Sequence, residues 1–306
     1  MNGLVDWVDE WTLELRAGTV SDETVTVYVR AVNQFVRWLG ETHPDVTTPG
    51  QLTPKVCAGW MRSLRENAKA ESTRRRAGIA LRLFLGYVAR EPDSGLDVNP
   101  AAGLDLPMPV PPPVPVVSDA DLTALLWTMS SNSYVDRRDT AIIRLLLDTG
   151  CRRAELVGID VSDVDLRHQE ILVHGKGGRS RIVPFGGKTA LALRKYLRVR
   201  ATRPAADAPP LFISVRPKVN GSWRLTGGAV GEMLTRRCIQ AGLNHLHPHQ
   251  LRHTWAHDLL ANGAGESDVE RLAGWSTPTM VRRYGNSVAD QRARDAARRL
   301  GRGDRV

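Results

Sequence analysis

Apolar residues recur every three and four positions through the first hundred residues of this chain, a period that predicts helices rather than strands. Val25, Tyr28, Val32, Phe35, Val36 and Leu39 share one helical face behind Ser21, whose hydroxyl suits an N-cap. Thr53-Pro54 marks another start, because proline fits the first turn, where its missing N–H costs nothing. Ser72 is read as opening a further helix, with Ile79, Leu83 and Val88 facing inward and Arg74, Arg75, Arg76 and Arg82 left outside. With a first helix near residues 4–16, the pattern predicts a four-helix domain over residues 1–105.

The periodicity stops at residues 106–117. Six prolines between Leu106 and Pro115 remove amide donors and fix φ, so neither a helix nor a central strand persists there. An extended strap between two folded patterns fits best, and a proline-rich ligand for a peptide-binding module competes with it. Beyond the strap, Ser118 caps a helix, and residues 137–148 form an apolar one that ends at Thr149-Gly150. Arg153–Gly158 reads as a short helix. The period then changes to two: Glu170–His174 and Arg179–Val183 read as strands joined by the Gly-Lys-Gly-Gly turn at 175–178. Leu211–Val215 is expected to be one more strand. The fold class is therefore mainly α (α+β): a helical N-terminal domain, then a mostly helical domain over 118–306 with a small antiparallel sheet.

Charge narrows the partners. Lys and Arg number 42 against 33 Asp and Glu, a formal net charge of +9, which favours a polyanion, with nucleic acid the first candidate. The arginines of 74–76 and 82 are placed to grip phosphates, although a solvated charged face has the same pattern. Cys57, Cys151 and Cys238 are too few and too scattered for a disulfide framework. No apolar run approaches the roughly 20 residues that span a bilayer, and the acidic N-terminus lacks a signal-peptide pattern, so a cytoplasmic protein is expected, without membrane partners.

The chemistry concentrates in four short segments. His249 and Arg252 lie three residues apart, so on a helix they project to one side. Arg152 precedes Glu155 by three, which makes either a simple surface pair or a guanidinium held ready for a phosphate. Lys176 sits at the glycine-rich hairpin tip, either a solvated turn lysine or a mobile acid, and the segment lacks the spacing of a nucleotide-binding loop. Of the five tyrosines, Tyr28 and Tyr87 fit core faces, Tyr134 and Tyr196 lack basic motif partners, and Tyr284 follows two arginines and precedes a glycine. His245, His247, His249, His253 and His257 raise a zinc reading. Thr254, however, stands where a metalloprotease helix needs its glutamate, so metal is not expected.

Taken in order, Thr-Gly-Cys-Arg-Arg-Ala-Glu-Leu, Gly-Lys-Gly-Gly-Arg-Ser-Arg-Ile-Val-Pro, Pro-His-Gln-Leu-Arg-His-Thr, Leu-Ala-Gly-Trp and Arg-Arg-Tyr-Gly resemble the tyrosine recombinases, the phage-integrase and Xer-like site-specific recombinases. The resemblance covers nearly the whole chain, with residues 1–105 as a core-binding DNA-binding domain and 118–306 as the catalytic domain. It implies a catalytic set of Arg152, Lys176, His249, Arg252, Trp275 and Tyr284, with Tyr284 as nucleophile and a 3′-phosphotyrosyl intermediate. Trp275, nine residues before Tyr284, occupies a place usually held by a second histidine. An indole donates a hydrogen bond but shuttles no proton. No cofactor is implied, because the ester conserves the bond energy. The implied partners are double-stranded DNA recombination sites, bound by a homotetramer that spans two sites, with room for an accessory DNA-bending factor. The basic segment after Tyr284 is either a docking helix for a neighbouring protomer or a frayed terminus. A type IB-like topoisomerase shares this chemistry, and a non-catalytic sequence-specific DNA-binding protein shares the charge and fold.

Overall fold

The computed structural model describes residues 3–109, 115–175, 178–275 and 294, 297 and 298. The chain divides into two compact units, residues 1–112 and 113–306.

The first unit holds four helices: α1 (Leu4–Ala17), α2 (Asp22–Thr42), α3 (Pro54–Glu66) and α4 (Glu71–Val88). Ser21 accepts the Thr24 amide and Thr53 that of Val56, each satisfying one of the donors a helix start leaves without an intrahelical partner. The core is aromatic: Trp11 meets Phe84 at 5.4 Å and Phe35 meets Trp60 edge-on at 5.3 Å, between ring centroids. Two expectations for α4 need correction. It begins at Glu71 behind Ala70, with no side-chain cap, and Leu83 is exposed. Its buried stripe is Ala77, Ala80, Leu81, Phe84, Leu85 and Val88, because the small residues of the arginine-rich half let α4 lie close against its neighbours. Phe84 and Leu85 then take the inward places that flank Leu83.

In the second unit, α5 (Asp119–Trp127) is capped by Ser118, and α6 (Tyr134–Thr149) by Ser133, three residues before the predicted start. Next come α7 (Arg153–Gly158) and a three-stranded antiparallel sheet: β1 (Val164–Asp165), β2 (Glu170–His174) and β3 (Ser180–Pro184), in that order. Ile171 faces Val183, and Val173 faces Arg181. Period-two alternation sends Ile171, Val173 and Val183 into the core. Then follow α8 (Gly187–Arg200), α9 (Gly227–Ala241), α10 (Pro248–Ala261) and α11 (Glu266–Ala273). α6 runs through the middle and buries Ala141, Ile142, Ile143, Leu145 and Leu146.

The strand expected at Leu211–Val215 does not form. The segment makes single bridges only, through Pro210 and Ile213. Side chains claim two of its carbonyls, since Leu211 accepts from Tyr196 Oη and Arg200 Nε and Ile213 accepts from Tyr134 Oη, while Phe212 O accepts the Leu225 amide. Its polar groups are thus satisfied without a ladder. Among the described residues, no helix is long and apolar enough to cross a membrane.

Candidate active site

Two helix ends and one helix start build the site. α6 terminates at Gly150 with φ +55°, and a Cβ there would fall 2.2 Å from the Trp255 ring of α10. Glycine is required twice over, for the left-handed turn and for the close approach. The turn delivers Arg152 to the N-cap of α7. α11 ends the same way: Gly274 has φ +63°, and a Cβ there would lie 2.9 Å from Arg181 Nη1.

Arg252, on the second turn of α10, reaches both ends. Its Nη1 donates to Gly150 O and its Nη2 to Ala273 O at 2.7 Å. These carbonyls belong to the C-termini of α6 and α11, the negative ends of two helix dipoles, which favours a cation between them. The residue is only 2% exposed, so its charge is held in place by backbone rather than by water. Its guanidinium carbon lies 5.1 Å from the centre of the Trp275 ring.

Arg152 is held differently. Its amide and its Nη1 both donate to the Glu155 carboxylate at 2.8 Å, while its side chain stays 45% exposed. The same carboxylate accepts from Arg181 Nη2 at 2.8 Å, and Arg181 Nε donates to Leu272 O at 2.6 Å. Burial works to raise the Glu155 pKa, but hydrogen bonds from Arg181 and Arg152 outweigh it and hold the carboxyl at about 2. Glu155 is therefore an anionic hub that joins α7, β3 and, through Arg181, the end of α11.

A cleft of about 410 Å³ opens among these parts, lined by Arg152, Arg153, His247, Pro248, His249 and Arg252. It faces the first turn of α10, the positive end of that helix. Of the six side chains expected in a catalytic set, Arg152, His249 and Arg252 meet at this cleft, and Trp275 lies against Arg252. Lys176 and Tyr284 lie outside the described residues, as does most of the basic segment beyond Tyr284.

The other tyrosines are engaged elsewhere. Tyr134 and Tyr196 donate to backbone carbonyls, and burial pushes both phenols up, away from the phenolate a nucleophile needs. Tyr134 gains a basic neighbour through the fold, with Arg203 sitting 4.8 Å over its ring. The Cys151 thiol beside Arg152 is raised to about 11 by burial, so it stays protonated at neutral pH. The histidines do not converge on a metal geometry: among the described residues, no three His, Cys, Asp or Glu side chains are so grouped. Thr254 instead accepts the Val117 amide at 3.0 Å and donates to Gln250 O.

In the first unit, the four arginines of α4 differ. Arg82 donates to Leu104 O at 2.7 Å and to Ala101 O, a staple on the segment after α4 rather than the outward charge expected. Arg75 donates to Pro107 O at 3.1 Å, Arg74 pairs with Glu71 at 3.4 Å, and Arg76 is exposed.

Arg181 was not singled out from sequence. A signal was present: alternation on β3 puts Arg181 on the same face as Val183, and an inward arginine needs a counter-charge.

Comparison with known proteins decides the family. The model described as "Phage integrase family" matches residues 116–291, and "Phage integrase, N-terminal SAM-like domain" matches residues 8–92. The chain belongs to the phage integrase family of tyrosine recombinases. This recombinase is 30% identical over 266 residues to tyrosine recombinase XerC of Haemophilus influenzae (strain ATCC 51907 / DSM 11121 / KW20 / Rd), covering 87% of this chain and 86% of the relative. It is 34% identical over 259 residues to XerC of Alcanivorax borkumensis, covering 83% and 80%. Its fold is similar to that of the XerH site-specific recombinase bound to palindromic difH substrate, with a TM-score of 0.74 at 18% identity over 95% of this chain and 83% of that one. The recombinase is a DNA breaking and rejoining enzyme of the tyrosine type.

Proposed function

We propose that this recombinase cuts each strand of a specific double-stranded site with the Tyr284 phenol and holds the cut as a 3′-phosphotyrosyl ester. A phosphodiester is an anion, and attack on it concentrates further charge on its non-bridging oxygens. Arg152 and Arg252 are the groups that stabilise that charge, with the Trp275 N–H as a neutral donor and the start of α10 adding its dipole. The phenol, with an ordinary pKa of about 10, gives its proton to His249 as its oxygen bonds to phosphorus. The bond from phosphorus to the 5′-oxygen breaks, and Lys176 protonates the leaving oxygen. The reverse steps with a partner strand complete the exchange, and the ester carries the bond energy, so no nucleotide cofactor enters. Four copies on two DNA sites supply the two partners.

The convergence of Arg152, His249 and Arg252 on one cleft, with Trp275 against Arg252, carries this reading. Arg74, Arg75 and Arg76 are the further phosphate-binding groups proposed on α4. Arg82 contributes by fixing the segment behind them.

A nicked suicide substrate tests the proposal. Wild-type protein forms a denaturation-resistant adduct and releases a 5′-hydroxyl strand, whereas Tyr284→Phe binds the duplex and forms no adduct. Adduct that survives the substitution overturns the nucleophile.

A further inference from the structure

A second cationic cleft lies outside the site. Arg137 and Arg144 on α6 and Lys188 and Lys195 on α8 line a groove of about 250 Å³, floored by Leu126 and Leu191. Among the described residues, none of these four cations is in an ion pair, and the one hydrogen bond, from Arg137, goes to the neutral Asn132 amide oxygen. The acids of α6 are spent elsewhere: Asp136 and Asp139 on Arg237, and Asp148 on the Gly186 amide. The helix α8 carries five cations and no acid between Gly187 and Arg200. Four like charges around one groove without a counter-ion call for an anion.

Its shape favours a nucleic-acid strand. Each wall presents two cations seven residues apart, about 10.5 Å along a helix, and a DNA strand carries a phosphate about every 3.4 Å of duplex axis. Each pair therefore reaches across roughly three phosphates. A peptide would find no aromatic side chain in the lining and no open strand edge, since both walls are helices with paired backbones. The chain's own C-terminal segment is excluded by charge: residues 290–306 hold six arginines against three aspartates. Arg144 is five residues from the end of α6, about 7.5 Å from the turn that delivers Arg152.

We propose that the α6–α8 groove binds the phosphodiester backbone of DNA flanking the segment held at the active site. The inference rests on the reading that the Arg152 cleft holds a DNA phosphate. The test uses full-length protein and a random-sequence 40-base-pair duplex, with affinity measured against salt. The slope of log affinity against log salt should fall by about 1.8 for Arg144→Gln/Lys195→Gln, because two phosphates then keep their counter-ions, and by about 0.9 for Lys188→Gln alone. Arg144→Lys/Lys195→Arg should keep the wild-type slope. Unchanged slopes in the glutamine variants, with melting temperatures equal to wild type, overturn the groove. An unchanged slope in Arg152→Ala instead overturns the reading of the cleft, so the two failures are separable. Poly-glutamate that binds wild type but not the double variant, with duplex affinity unaltered, makes this a site for an acidic protein and also overturns the inference.

Discussion

Replacing Glu155 by glutamine removes one charge from the hub beneath Arg152 and leaves its shape. The carboxyl titrates at about 2 against an ordinary 4.5, because the two arginines prevail over burial. A shift of that size corresponds to about 1.4 kcal/mol per pH unit, and water around the part-exposed Arg152 guanidinium screens a share of it. The net loss expected is on the order of 2 kcal/mol, which lowers the melting temperature of a unit this size by about 4–8 °C. A depressed pKa fixes the sign. The stabilisation is full above pH 4.5 and fades as pH falls from there toward 2, so wild type and variant converge in acid. Circular dichroism melts between neutral pH and about pH 3 measure that gap directly. Strand cleavage should also slow by roughly tenfold, because Arg152 loses the partner that fixes its direction. A variant that melts with wild type at neutral pH, or a gap that stays constant into acid, would refute the hub.

Three further outcomes follow from the packing. Gly150→Ala combines a left-handed φ with a Cβ on the Trp255 ring, so it should cost at least about 3 kcal/mol in chemical denaturation and abolish cleavage. Trp275→Phe keeps an aromatic face for Arg252 and removes the N–H, so cleavage should fall by about tenfold with little change in melting temperature. Leu83→Lys should be nearly neutral in urea denaturation, whereas Phe84→Ala should cost about 3–5 kcal/mol, because α4 buries the second and not the first.

Much of the fold was legible because local chemistry and tertiary packing agree. Ser21, Thr53, Ser118 and Gly150 terminate helices in the structure where their side chains or their freedom of φ predict. The failures have a common cause. At Leu83 and at Leu211–Val215, apolar pattern alone could not report which neighbours compete. Phe84 and Leu85 claim the core against Leu83, and Tyr196 and Arg200 both claim the Leu211 carbonyl that a strand would have paired. That Arg152, His249 and Arg252 would meet was readable because these residue types stand out in short motifs. The Arg181–Glu155 link was not, because it joins β3 to α7 across 26 positions, and only the fold brings them within 2.8 Å.

The role proposed for Arg152, as the cation that neutralises the scissile phosphate, can be measured by deleting the charge from the DNA instead of the protein. Arg152→Ala should cleave an ordinary suicide substrate about 100- to 1,000-fold more slowly than wild type. With a neutral methylphosphonate at the scissile position, the same variant should regain most of that rate, since no anion remains to be balanced. Equal slowness on both substrates would contradict a phosphate-clamping Arg152.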